Sequence, residues 1–461
     1  MSEASDRIAA KHDYTATTPS TAGDEDDGAL PTGSDSVCIR NRESETDEEA
    51  AGHSARVGSS NHSAGRGENP HEPSSGRSDG SNNATESLLK RDQQKCSYRL
   101  SKSEYLRHAS KRSGRKPLAL ALESLRLARG PGRMTVPEYV QFGLDDPALS
   151  DAERRRFLTE TLHWPIVHRC CDMTWMATVE DTWLCTRILE QSGLPTPRTL
   201  AVIDRTKRTY PGTRTIRTAS ELRDFLCAHV SDDTPVFGKE NRGIMGFGVF
   251  LVLEADRERL HLEGEGWFSY QDFLDELVGD TAYILQPVER NHPFFERFTN
   301  HLATVRVGVF HTREGPKILF TVLKIPGTSN LSDHFWRKGN LACDVDPSTG
   351  VIRRARSKDP LGTTDYIDHP ETGARLIDET LPHWADLRDL ALKCSENFAP
   401  IRYQSMDVAI TPNGPLLIEI NVGGAFNLPQ LASGRGFLTD EVMEFFDDCG
   451  VRLKRSHKLK N

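Results

Sequence analysis

Apolar and polar positions recur with two different periods along this chain, and the change of period divides it into segments. The first 95 residues show neither period. From Lys116 the run PLALALESLRLARG repeats apolar residues at helical spacing and stops at Gly130-Pro131, which predicts a short amphipathic helix and a start of order near Lys116. Helical spacing recurs over 151–162 and over 180–191, the second placing Trp183, Leu184, Ile188 and Leu189 toward a core. Gly193, Pro195 and Pro197 end it. A short strand, TLAVI, and a helix from Ser220 follow.

Beyond residue 234 the period shortens to two. PVFGK (235–239) and VFLVL (249–253) flank a glycine-containing loop, as the arms of a hairpin would. Ser269, with Asp272 three residues on, predicts a capped helix. Strands are predicted over 282–286, 303–310 and 317–324, then a loop-rich section to Asp378. A helix over 383–398, a hairpin over 404–421 and a helix near 437–448 complete the chain. Helices and strands in this mixed order predict an α+β fold of two α/β lobes with mixed or antiparallel sheets, not a doubly wound parallel sheet.

Composition sharpens the boundaries. Of the 461 residues 36% are hydrophobic and 27% charged, and the deficit of apolar residues is concentrated in 1–95. That segment carries 18 acidic and 10 basic side chains and buries too little apolar surface to compensate its ordering entropy, so it is expected to be a disordered acidic tail. Residues 96–133 reverse the sign, with ten Lys or Arg against Glu104 and Glu123, and read as a basic helical flank. Such a strip suits an anionic partner such as a membrane surface, nucleic acid or a polyanionic glycan, but a solvated flank or a contact to the protein's own acidic tail is the favoured reading. The main domain is expected over 150–440, and a helix end with a basic tail over 441–461. No run of 18 apolar residues predicts a membrane span, and the N-terminus lacks a basic-then-apolar signal. Nine cysteines without C-x-x-C spacing fit reduced thiols in the cytoplasm.

The sharpest chemical signal is the last hairpin, QSMDVAI–TPNG–PLLIEIN. A two-residue Asn413-Gly414 turn sets Asp407 opposite Ile420. A three-residue loop, Pro412-Asn413-Gly414, places proline and glycine where a turn with a bulge wants them, pairs Thr411 with Pro415, and sets Asp407 opposite Glu419. Asn421 then shares their face. Two opposed carboxylates repel unless a cation lies between them, and hard oxygen ligands suit Mg²⁺. The hairpin alone is equally compatible with a solvent-facing acidic pair.

Two further signals are weaker. Lys239 ends an apolar strand directly before Gly243, Gly246 and Gly248, a combination that brings a point charge and close backbone amides toward a phosphate. Ordinary hairpin chemistry explains it as well, and neither a Walker A loop nor a helix-opening G-x-G-x-x-G is present. Arg306 projects from the face opposite Val305, Val307 and Val309, beside Lys324 on the next strand. Such a basic pair is either a phosphate clamp or a solvated surface pair.

Taken in order, these pieces resemble an ATP-grasp domain. The loop after Lys239 resembles the flap over the phosphates, Gln286-Pro287-Val288 the hinge at the adenine, Thr304-x-Arg306 the family's threonine-and-arginine strand, and Asp407 with Glu419-x-Asn421 its magnesium triad. More closely, DTWLCTRILEQSGLPTPRTLAV, DHFWRKGNLACDVDPSTGVI, HPETGARL and MDVAITPNGPLLIEIN are similar to sugar-transfer-associated ATP-grasp proteins. The chain departs from that pattern at Glu240, His334 and Gly339-Asn340. The resemblance implies ATP sandwiched between two lobes, Mg²⁺ on Asp407, Glu419 and Asn421, and Arg306 with Lys324 neutralising the transferring phosphoryl group. It implies ligation of a small or glycan-linked carboxylate to an amine or similar nucleophile through an acyl phosphate, in the setting of polysaccharide biosynthesis. Two alternatives remain open, a phosphotransferase and a nucleotide-binding module without turnover.

Overall fold

The computed structural model describes residues 100–453, save 232, 244–247, 329 and 336. The expected tail, the last eight residues and Gly246 lie outside the described residues. Strands gather into two seven-stranded sheets; helices cover one face of the first and pack on both faces of the second.

The first sheet contains β1 (Ala201–Ile203), β2 (Arg214–Ile216), β3 (Val236–Glu240), β4 (Phe250–Ala255), β5 (Arg259–Leu262), β6 (Gly266–Ser269) and β7 (Tyr283–Pro287), in the order β2-β1-β7-β3-β4-β5-β6. Only β1 and β2 run parallel; the other pairs are antiparallel. Val236, Phe250, Val252 and Leu285 bury one face against the Ala219–His229 helix and the turn after Ser269. Thr218 caps that first helix in a capping box with Glu221. Ser269 does cap, as its spacing implies, but only the turn Tyr270–Asp272 is α-helical. It continues as a π-turn over Phe273–Val278 that ends at Gly279.

The second sheet contains β8 (Thr304–Thr312), β9 (Gly315–Ile325), β10 (Leu341–Val345), β11 (Ile352–Asp359), β12 (Gly362–Tyr366), β13 (Tyr403–Thr411) and β14 (Gly414–Val422), all antiparallel in the order β12-β11-β10-β9-β8-β13-β14. Val305, Val307 and Val309 fill the largest core with Leu387, Ala391 and Cys394 of the Trp384–Glu396 helix and Phe445 of the Asp440–Asp448 helix. β10, β11 and β12 fall in the section read from sequence as loop-rich. Arg, Lys and Asp alternate irregularly through β11 and β12, so no period of two is visible there, and pairing with β9 imposes the strands.

Three local expectations need correction. Residues 151–162 are not one helix: the α-turn Asp151–Arg154 gives way to irregular chain and a 3-10 turn at Glu160–Leu162, because the Arg154 guanidinium is turned inward to the carbonyls of Leu144, Asp146 and Leu149. In Thr182–Gln191 the inward face is Cys185, Thr186 and Leu189, whereas Trp183 meets Tyr210 edge-to-face at 5.3 Å and carries Arg187 and Arg208 on its ring. Order begins before Lys116, since Lys102–Ser113 is a helix capped by Ser101. It packs with Pro117–Ala128 through Tyr105, Ala109, Leu120 and Leu127 onto Leu428 and Leu431. No helix among the described residues is long and apolar enough to cross a membrane, and the seven described cysteines are free thiols.

Candidate functional site

Register brings the charged side chains together. Arg306 on β8 lies opposite Asp407 on β13, and Asp407 lies opposite Glu419 on β14, so three charges stand in one row across three strands. Thr304 lies opposite Lys324 of β9, one step along the same face.

The hairpin reaches the expected Asp407–Glu419 pairing by a different route. The loop is Pro412-Asn413, with Thr411 opposite Gly414 and not opposite Pro415; Gly414 takes a φ of 111° that L side chains rarely adopt. Pairing then runs regularly to Val408 and Leu417, after which the register shifts and Ile418 is left over as a β-bulge. The extra residue that the sequence reading placed in the loop is thus inside β14. A bulged residue is released from the ladder, and the Ile418 carbonyl accepts a hydrogen bond from Lys239 Nζ at 3.2 Å. Burial lowers the pKa of this lysine, with the nearby Glu419 charge working the other way.

Asp407 is the hub of the row. Arg306 donates to it from Nε at 2.6 Å and from Nη2 at 2.7 Å, and Lys324 Nζ lies 3.1 Å from its second oxygen. Lys324 also holds Asp333 Oδ1 at 3.1 Å, and the Thr304 hydroxyl donates to the other oxygen of Asp333. Enclosure pushes the Asp407 carboxyl up, but the Arg306 and Lys324 cations outweigh it and hold the group well below the usual carboxylate range. Glu419 moves the opposite way: enclosure and then the Asp407 charge raise it. Glu419 makes no hydrogen bond or ion pair among the described residues, and the Asn421 amide nitrogen is buried without a partner.

A cavity of about 440 Å³ opens between the sheets at this row. Its far end is apolar, lined by Phe237, Leu251, Leu253, Leu302 and Ile418, with the buried Gln286 and the exposed Val288 also in the lining. Its near end holds Lys239, Arg306, Lys324, Asp407, Glu419 and Asn421. Eight of the eleven residues singled out from sequence therefore line one cavity. Gly243 lines a second cavity, of about 660 Å³, on the other side of the row, and Gly248 (φ 70°) closes the loop between β3 and β4 without lining either. The two cavities share Arg306, Lys324, His334, Glu419 and Asn421. The second continues past Glu180, Glu240 and Arg242 to the half-exposed Trp164.

Asp333, Glu240 and Asn340 also shape this site, and the sequence marked the last two only as departures from the family pattern. Asp333 sits in a polar loop and acquires its place only through Lys324 and Thr304. Glu240 is buried with no hydrogen-bond or ion-pair partner among the described residues, and enclosure raises its pKa. Asn340 is fully buried and ties the loop that carries Asp333 and His334. Its Oδ1 accepts from Gly327 N at 2.8 Å and Asn330 Nδ2 at 2.7 Å, and its Nδ2 donates to the carbonyls of Ser332 and His334 at 2.9 and 2.8 Å.

Among the described residues no three His, Cys, Asp or Glu side chains cluster as a metal site. The donor set here is two carboxylates and an amide, which hard cations accept. A carboxylate has about four acceptor positions; Arg306 and Lys324 take three on Asp407, and Glu419 keeps all of its own. The set fits.

A family model described as sugar-transfer associated ATP-grasp matches residues 167–444, more than half of the chain. No curated protein matches it. Among solved structures, similarity extends to a D-alanine–D-alanine ligase from Bacillus anthracis, 14% identical over 63% of this chain and 75% of that one, with a TM-score of 0.35. It extends also to D-alanyl-alanine synthetase A from Vibrio cholerae, 12% identical over 61% and 68%, TM-score 0.36. A biotin carboxylase from Campylobacter jejuni is 10% identical over 63% of this chain and 50% of its own, TM-score 0.35.

Proposed function

Because the chain belongs to the sugar-transfer-associated ATP-grasp family, we propose that it is an ATP- and Mg²⁺-dependent ligase that joins a carboxylate to an amine through an acyl phosphate. The observation that carries this reading is the meeting of two cavities at Arg306, Lys324, Glu419 and Asn421. A reaction between two bound molecules needs their reacting atoms in contact at one place, and holding them there supplies much of the rate.

The 440 Å³ cavity suits the nucleotide. Its apolar end takes the adenine, with the backbone and side chain of Gln286 and the exposed Val288 beside it. Lys239, held by the Ile418 carbonyl, points its charge at the phosphates. Asp407, Glu419 and Asn421 would hold Mg²⁺, which when bound supplies charge neutralisation along the triphosphate. Arg306 and Lys324 face both cavities, so the charge that builds as a carboxylate oxygen attacks the γ-phosphorus meets two fixed cations that need no reorientation. In the second cavity Glu180 and Glu240 form an acidic wall suited to an amine, and no protein nucleophile is called for.

ADP release in the presence of pooled amino acids and uronic acids tests the proposal. ADP formed only when both a carboxylate and an amine are supplied, with ¹⁸O passing from the labelled carboxylate into phosphate, is the expected result. A stable phosphorylated product with no condensation would replace the ligase by a phosphotransferase.

A further inference from the structure

The basic flank carries a surface that the ATP site does not use. Pro117–Ala128 buries Leu120, Ser124 and Leu127, and turns Leu118, Leu122 and Leu125 outward at 72%, 60% and 47% exposure. These are three of the eight large apolar side chains exposed among the described residues. Their spacing of four and then three residues puts them on one stripe, which Arg129 continues one turn later. Scattered exposed leucines need no explanation, but three in line on a well-formed helix do.

The charge around the stripe points to its occupant. Among the basic residues of the flank, Arg112 pairs with Asp145, Arg115 with Glu123 and Arg126 with Asp151. Lys102, Arg107, Lys111, Lys116, Arg129 and Arg133 are exposed and form no ion pair among the described residues. Lys116 and Arg129 stand at the two ends of the leucine stripe as the N-cap and C-cap of its helix. The only exposed acid described on these two helices, Glu104, is turned to its own N-cap, Ser101. An apolar ridge bounded by unpaired cations is the pattern of a helix lying in a membrane interface, with leucines at the acyl boundary and cations at phosphate headgroups. A protein partner would have to match Lys116 and Arg129 with acids while covering the ridge.

We propose that the outward face of Pro117–Ala128, with its flanking cations, docks the protein on an anionic lipid surface. Each Lys or Arg near such a surface adds attraction to the anionic headgroups, attenuated by salt within a Debye length. A ridge of three leucines alone is weaker than a single acyl anchor, so binding should require both parts and be reversible.

Vesicle flotation of the full chain decides this. The wild type should float with vesicles containing about 30 mol% phosphatidylglycerol and remain at the bottom with pure phosphatidylcholine, a difference that shrinks in high salt. Leu118→Ser/Leu122→Ser/Leu125→Ser should lower the floated fraction about tenfold with an unchanged melting temperature, because none of the three leucines is buried. Lys116→Glu/Arg129→Glu should do the same. Failure of the wild type to float with the anionic vesicles would overturn the proposal. So would flotation indifferent to the leucines, or a concentration-dependent dimer that the leucine substitutions dissolve, which would assign the ridge to a second copy of the chain.

Discussion

Asp407 and Glu419 face each other across one pair of strands yet their pKa values are pushed in opposite directions, and the difference has consequences for stability. The folded pKa of Glu419 lies above its unfolded value. The folded protein therefore keeps that proton longer, and stability is lost as pH rises through the ordinary carboxylate range toward the folded pKa. Asp407 has the reverse sign: the stability from Arg306 and Lys324 is present above the ordinary range and is lost as pH falls below it. Glu419→Gln is accordingly expected to stabilise the protein without ligands at neutral pH by up to ~1 kcal/mol, and the gain should vanish as the buffer is taken below pH 4 or so. Thermal melts of mutant and parent across that range check it. A Glu419→Gln protein that melts well below its parent at pH 7 would mark the acid as a structural partner instead. The Asp407–Glu419 pairing was named from sequence, but through a three-residue loop, whereas the structure reaches it through a two-residue loop and a bulge at Ile418. What was not legible is that Arg306 and Lys324 already neutralise Asp407, since strand order β9-β8-β13-β14 is a non-local fact.

At the scale of elements, the loop between β9 and β10 decides how the site is held. Asn340, one of the positions at which the chain departs from the pattern it resembles, makes four hydrogen bonds within that loop. Asn340→Ala leaves the Gly327 amide and two carbonyls without partners, at a cost of about 2–4 kcal/mol. Because Asp333 rides on the same loop, turnover should fall further than the lost stability explains. Melting temperature and ADP release on the same variant test this. Unchanged values for both would reduce Asn340 to a spectator. Sequence spacing placed the capped turn at Ser269 and the arms of both main hairpins, because capping and turn residues act locally, and it read the Ala219–His229 helix from Ser220 without its Thr218 cap. It failed at β10 to β12, and at the bulge that puts Ile418 under Lys239, because those depend on neighbours far along the chain.

At the scale of the whole molecule, the acidic tail and the helical flank should separate cleanly. Removing residues 1–95, which hold no core-forming pattern, is expected to leave the thermal shift with ATP and Mg²⁺ unchanged. Cutting instead to residue 133 strips Tyr105, Ala109, Leu120 and Leu127 from Leu428 and Leu431 and leaves the buried Asp145 without Arg112. That protein should melt at least several degrees lower or aggregate. Equal melting of the two truncations would deny the flank a part in the fold. The central claim is that Lys239 and the Asp407–Glu419–Asn421 face receive a magnesium nucleotide between the two sheets. It is tested most directly by titrating a non-hydrolysable ATP analogue into the full chain by calorimetry, with and without Mg²⁺. The account predicts one site per chain whose affinity rises with Mg²⁺, falls about tenfold or more in Lys239→Ala at either condition, and loses only its Mg²⁺ dependence in Glu419→Gln. Absence of nucleotide binding in the parent, or an undiminished Mg²⁺ effect in Glu419→Gln, would contradict it.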